Sequence, residues 1–96
     1  MAHFNLANRH RDNGSMEAAV ASYRVAIELN PRFNSSLNNL ALVYQQTGQN
    51  NEAIMLWEEL HRRALVQSDP TLLERTERRL RQMGASPPIS STALPD

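Results

Sequence analysis

Three histidines are the residues of this 96-residue chain that could most readily bind a metal ion. His3 and His10 are seven residues apart, so they share one face of a helix. The chain repeats at an offset of 34 residues, and the residues that correspond to these histidines in the second copy are Leu37 and Tyr44. Both are large packing residues, which favours packing over metal binding for the histidines as well. His61 has no carboxylate or histidine at ligand spacing on an apolar face and is interpreted as a surface residue. We therefore predict no metal site.

No catalytic motif stands out in the sequence. It has no glycine-rich phosphate loop, no Gly-x-Ser-x-Gly elbow, no His-Glu-x-x-His and no pair of aspartates within one turn. We predict a protein that is not an enzyme and needs no cofactor.

The arginines towards the C-terminal end could form an anion-binding patch, but most of them follow a glutamate by four residues. That spacing supports a helix by about 0.2 to 0.5 kcal/mol per pair and predicts a self-neutralised solvent face. Arg75 and Arg79 have no such glutamate and are the candidates for contact with an anion. The four predicted pairs are Glu58–Arg62, Glu59–Arg63, Glu74–Arg78 and Glu77–Arg81.

Charge and composition exclude several classes of protein. Ten basic residues balance ten acidic residues, which removes the general electrostatic argument for nucleic-acid or anionic-membrane binding. No cysteine is present, the apolar runs are far shorter than a membrane span, and the first residues do not resemble a secretion signal. We expect a cytoplasmic module without nucleic acid and without membrane insertion.

The chain repeats at an offset of 34 residues. Leu6-Ala7, Gly14, Ala19 and Tyr23 return as Leu40-Ala41, Gly48, Ala53 and Trp57. Small residues let two helices approach, and large ones fill the facing hollow. The glycines suit the turns between helices, and Pro31 ends a helix. The pattern predicts an all-α fold of stacked antiparallel hairpins, with helices at 2–13, 16–29, 34–47, 50–67 and 70–83.

The last part of the chain differs from the repeats. Ser68 or Asp69 can cap a helix that starts at Pro70 and ends near Gly84, and its single narrow apolar stripe predicts a capping helix over 68–84. Residues 85–96 hold three of the five prolines without helical periodicity, which predicts a disordered tail.

The two copies resemble the tetratricopeptide (TPR) repeat. Residues 1–33 are interpreted as the first repeat and 34–67 as the second, whose last helix is extended because Ala64-Leu65 replaces Asn-Pro. His3 also departs from the family, which usually has a larger group there. The resemblance implies a short right-handed solenoid whose first helices line a concave groove that binds an extended or helical segment of a partner protein.

Helix phase then predicts which side chains line that groove. Amide side chains both donate and accept hydrogen bonds, which suits a peptide backbone, and Phe4 and Leu42 could be apolar anchors. The predicted partner-binding residues are Phe4, Asn8, Arg11, Ser35, Asn38, Asn39, Leu42, Gln45 and Gln46.

Some family members clamp a C-terminal carboxylate with two asparagines and three basic residues. Asn8 and Asn39 match that pattern, but Phe4, Asp69 and Leu73 stand where the cations should be, so we do not expect a carboxylate clamp.

The small number of repeats in this chain leaves an alternative to a peptide-binding scaffold open. Repeat arrays generally need about three repeats for stability. The chain is therefore interpreted alternatively as a homo-oligomer joined through its uncovered first hairpin, or as a fragment of a longer TPR array.

Overall fold

The computed structural model describes residues 1–85. The described residues form five α-helices, and each helix packs against the next. The all-α prediction is confirmed; every helix begins at the predicted residue, and three end one residue earlier. The predicted tail from residue 86 onward lies outside the described residues. The helices are α1 (Ala2–Asp12), α2 (Met16–Leu29), α3 (Asn34–Gln46), α4 (Asn50–Gln67) and α5 (Pro70–Gln82).

The same turn closes both hairpins. Gly14 and Gly48 have φ angles of 81° and 78°, in the left-handed region that favours glycine. The residue after each glycine returns a backbone hydrogen bond to the preceding helix, from Ser15 N to His10 O and from Gln49 N to Tyr44 O, both 2.8 Å. These bonds satisfy carbonyls that a helix end leaves open, and they turn the chain back on itself.

The second hairpin ends differently from the first. α2 stops before Pro31, whereas α4 continues for 18 residues to Gln67 and is followed by Ser68, whose φ of 53° lies in the left-handed region. Asp69 then caps α5, because its Oδ1 accepts a hydrogen bond from Leu72 N at 3.1 Å. The longer α4 provides the surface against which α5 packs.

Repeated small residues determine how closely the helices approach. Ala7, Ala19, Ala41 and Ala53 are all completely buried, as are the large Tyr23 and Trp57. Because their side chains are small, the alanines allow the helix backbones to approach closely, and the aromatic rings fill the space beside them. The core thus follows the pattern that repeats in the sequence.

Enlarging one of these alanines tests this packing. We expect Ala41→Leu to lower the free energy of unfolding by about 1 to 3 kcal/mol, because the core has no room for three more carbon atoms. Ala21→Leu is the control, since Ala21 is exposed on α2 and should tolerate leucine within about 0.5 kcal/mol. Urea denaturation of both variants measures the difference, and equal midpoints would contradict the packing.

A polar pair joins α4 to α5. His61 is completely buried and Glu77 nearly so, and His61 Nε2 lies 3.3 Å from Glu77 Oε2. The interpretation of His61 as a surface residue is wrong, because α5 covers that side of α4 and brings a carboxylate from 16 residues away. Glu77 was likewise assigned to a solvent face; it does approach Arg81, at 3.6 Å, but from a buried position.

The other predicted charge pairs follow the helix geometry with one exception. Glu59–Arg63 and Glu74–Arg78 form at 3.1 and 2.8 Å. Arg62 bonds to Glu59 at 2.5 Å and not to Glu58 as predicted, because three-residue and four-residue spacings are both within reach on a helix. This bond from Arg62 is the largest of the effects that lower the pKa of Glu59.

The buried pair should matter more than an exposed pair on the same helix. We expect Glu77→Ala to cost about 1 to 3 kcal/mol of stability, because it leaves the buried ring nitrogen of His61 without its hydrogen-bond partner. Glu74→Ala breaks the exposed pair with Arg78 and should cost less than about 1 kcal/mol. Urea denaturation compares the two variants, and similar losses would show that the buried pair has no special role.

Candidate functional site

The candidate site is the surface that α1 and α3 share, here called the α1–α3 groove; α1 approaches α3 as well as its own partner α2. The buried alanines Ala7 and Ala41 lie on these two helices. The packing of α1 beside α3 brings polar residues of both repeats onto one surface.

Three asparagines in the groove are joined by hydrogen bonds. Asn39 Nδ2 donates to Asn8 Oδ1 at 3.0 Å, and Asn38 Nδ2 donates to Asn39 Oδ1 at 3.1 Å. The hydroxyl of Tyr23, on α2, also donates to Asn8 Oδ1. All three asparagines are half-buried. The structure therefore connects three of the predicted groove residues across the two repeats.

Tyr23 is the residue of this cluster that the sequence analysis treated only as packing. Its ring is completely buried while its hydroxyl reaches the groove. Burial raises the pKa of this hydroxyl, and the smaller opposing effects come from Arg11 and from a hydrogen bond with Asn39. The hydroxyl therefore stays protonated at neutral pH and acts as a donor. The sequence does carry one signal of this difference, because the residue that corresponds to Tyr23 in the second repeat is Trp57, which has no hydroxyl.

Phe4 is held within an aromatic cluster. Its ring lies edge-on to Tyr23 and Phe33, with centroid distances of 6.1 and 5.0 Å. Phe4 and Leu42 are both half-buried and pack against the core. Each keeps part of its apolar surface exposed beside the amides.

The remaining predicted groove residues differ in exposure. Ser35 and Gln46 are exposed, whereas Gln45 is half-buried and its Oε1 has no hydrogen-bond partner among the described residues. Arg11 is half-buried and pairs with Asp12 at 3.3 Å, so its charge is compensated locally. The polar lining that joins α1 to α3 consists of uncharged amides.

The two candidate anion contacts lie on α5, outside the groove. Arg79 is half-buried, and its guanidinium carbon is 5.9 Å from the centre of the Trp57 ring, a cation–π distance. Arg75 is exposed. α5 packs against α4, not α3, so neither arginine extends the groove. Contact of Arg75 and Arg79 with an anion stays a prediction.

Residues 1–85 contain no group of three or more histidine, cysteine, aspartate or glutamate side chains placed to hold a metal ion. None of the five helices is both long enough and apolar enough to cross a membrane. The cytoplasmic location stays a prediction.

Stacked helical hairpins of 34 residues define a class of helical-repeat proteins, and comparison with known families identifies which one. A profile described as "TPR repeat" matches residues 7–48, and one described as "Tetratricopeptide repeat" matches residues 35–68. The chain belongs to the TPR family. Membership implies a role in protein–protein interaction.

Several characterised proteins contain a segment similar to part of this chain. The photosystem I assembly proteins Ycf3 of Rippkaea orientalis and Cyanophora paradoxa are each 39% identical over 46 residues, which cover 48% of this chain and 27% of those proteins. The human protein O-mannosyl-transferase TMTC1 is 40% identical over 47 residues, or 49% of this chain and 5% of that protein.

These similarities have a limited extent. The chain spans about a quarter of the length of the Ycf3 relatives it matches. No solved structure matches it significantly. The match to the transferase covers only a small part of that enzyme.

Proposed function

We propose that this chain is a non-catalytic scaffold that binds a peptide or protein segment of a partner in the α1–α3 groove. The observation that supports this proposal most is the hydrogen-bonded row of half-buried asparagines, Asn8, Asn39 and Asn38, which crosses from one repeat to the next. Such a row leaves hydrogen-bonding groups at a surface that is already partly shielded from water, where new hydrogen bonds are strongest.

The apolar neighbours of the amides support the same proposal. Phe4 is fixed by Tyr23 and Phe33, and Leu42 is fixed by the core, so neither side chain needs to be ordered when a partner binds. Preordered apolar surface beside hydrogen-bonding groups reduces the entropic cost of association. Phe4 and Leu42 are therefore the proposed anchors.

The relatives suggest the kind of partner. The Ycf3 proteins are named for the assembly of photosystem I. By analogy, we propose that the partner of this chain is a component of a protein assembly.

Peptides selected on the full chain from an unbiased display library test the groove. Ser35→Arg places a bulky cation at an exposed groove position, and Asn38→Ala removes an amide; each should weaken the selected peptides by about fivefold or more. Asn51→Ala, at an exposed position on α4, is the control and should bind normally. Fluorescence anisotropy measures affinity, and circular dichroism checks that helicity is kept. Peptides that bind all variants equally would place the site elsewhere.

A second candidate function is self-assembly through the first hairpin, or stacking within a longer array. Leu6 is 43% exposed, whereas its counterpart Leu40 in the second repeat is 3% exposed because α2 lies beside α3. This face is the one that a preceding helix would cover.

Sedimentation of the full chain over a range of concentrations tests self-assembly. If the face associates, the wild-type mass should rise with concentration, and Leu6→Gln should shift the equilibrium to monomer because it removes apolar contact area. Met55→Gln changes a similarly exposed apolar residue on α4 and should leave the mass unchanged. A stable monomer at every concentration, with a high melting temperature, would argue against this candidate.

A further inference from the structure

We propose that a cavity beside the loop between α2 and α3 binds a phosphate group through Arg32 and Arg63. This cavity, here called the loop cavity, has a volume of about 290 Å³ and lies between that loop and the last part of α4. It is separate from the α1–α3 groove, so the inference goes beyond the proposed function and does not depend on it. The residues that line the loop cavity are Pro31, Arg32, Asn34, Arg63 and Gln67.

Arg63 is held in place at one side of the loop cavity. Its Nε donates to Glu59 Oε2 at 3.1 Å, and its Nη1 donates to Asn34 Oδ1 at 2.9 Å. These contacts with two different helices fix the plane of the guanidinium group, which has five N–H donors in all. The other three N–H groups have no acceptor within residues 1–85. A guanidinium group that is already ordered loses little entropy when it binds an anion.

Positive charge exceeds negative charge around the loop cavity. Glu59 is the carboxylate that binds Arg63, but it also binds Arg62, whose Nη2 lies 2.5 Å from Glu59 Oε1. Arg32 has no carboxylate partner in the described part of the chain. No aspartate or glutamate is among the residues that line the cavity. One glutamate therefore serves two arginines and a third arginine has none, which leaves positive charge for a ligand to neutralise.

The polar groups of the lining suit a phosphate group better than a carboxylate. Arginine only donates hydrogen bonds, and the oxygen of Asn34 already accepts from Arg63, so Asn34 has its NH₂ group left for a ligand. A carboxylate has two oxygens and one negative charge, which a single arginine satisfies. A phosphate group has about two negative charges and three acceptor oxygens, so it can accept from Arg32, Arg63 and an amide together. Free phosphate and a phosphorylated side chain of a partner both supply this chemistry.

Titration of the full chain with inorganic phosphate tests the loop cavity, at constant ionic strength and about pH 7.5, where phosphate is mainly doubly charged. NMR signals of the arginine Nε–H groups report binding at each guanidinium. We expect the signals of Arg32 and Arg63 to shift to saturation, and Arg32→Gln to weaken phosphate binding about fivefold or more. Arg9→Gln is the matched control, because it removes the same charge from an exposed position on α1 and should change the affinity less than about twofold.

A second variant separates the position of the guanidinium from its charge. Arg63→Lys stays positive, but an ammonium group cannot hold Glu59 and Asn34 and also present a planar pair of donors, so phosphate should bind about threefold or more weakly. Circular dichroism checks that helicity is kept.

The source of the phosphate is tested with N-acetyl phosphoserine amide in place of inorganic phosphate. Tighter binding of the ester than of the ion assigns the loop cavity to a phosphorylated side chain, and the reverse order assigns it to free phosphate. Both orders support a phosphate site.

Three results would overturn the inference. They are equal losses in Arg9→Gln and Arg32→Gln, acetate that binds as tightly as phosphate, and arginine signals that do not saturate. Failure of the proposed function would look different, because library peptides that are insensitive to Ser35→Arg and Asn38→Ala would leave phosphate binding at Arg32 unchanged.

Discussion

The close approach of helices at fully buried alanines is the constraint on which the rest of the structure depends. Ala7 and Ala41 carry almost no side-chain volume, so α1 and α3 pack closely with their neighbours while Tyr23 and Trp57 fill the hollows. This spacing brings Asn8 within 3.0 Å of Asn39 although they are 31 residues apart in the chain. Polar contacts between the repeats are thus a consequence of apolar packing, because the short asparagine side chain could not bridge a wider gap.

The two repeats share their packing and differ in their polar chemistry. Tyr23 and Trp57 occupy the same place and are equally buried, but only Tyr23 carries a hydroxyl that reaches the groove. Trp57 Nε1 is buried without a hydrogen-bond partner among the described residues, and its ring faces Arg79 on α5 instead. One aromatic ring therefore serves the candidate site, and the other serves the attachment of the last helix.

The sequence predicted the helix ends, which depend on the local preferences of single residues. It missed a buried contact that depends on how two helices are placed relative to each other. Gly14, Gly48 and Pro31 indicate helix ends through their own backbone preferences, and the ends were predicted to within one residue. The buried pair of His61 and Glu77 was missed, because it depends on which side of α4 the next helix covers. Helix phase placed the groove residues on one face, but it gave no direction for the hydrogen bonds among them.

The two polar clusters that join helices suit different purposes. His61 and Glu77 lie in the interior, where an ionisable pair costs desolvation and is retained only with good partners. The asparagines lie at a half-buried surface and are neutral, so a partner that covers them desolvates dipoles and not ions. Covering neutral amides is costly only if their hydrogen bonds are left unmade. Under the proposed function, a partner that satisfies every amide would be favoured, and a mismatched segment would be disfavoured by the groups that it leaves unpaired.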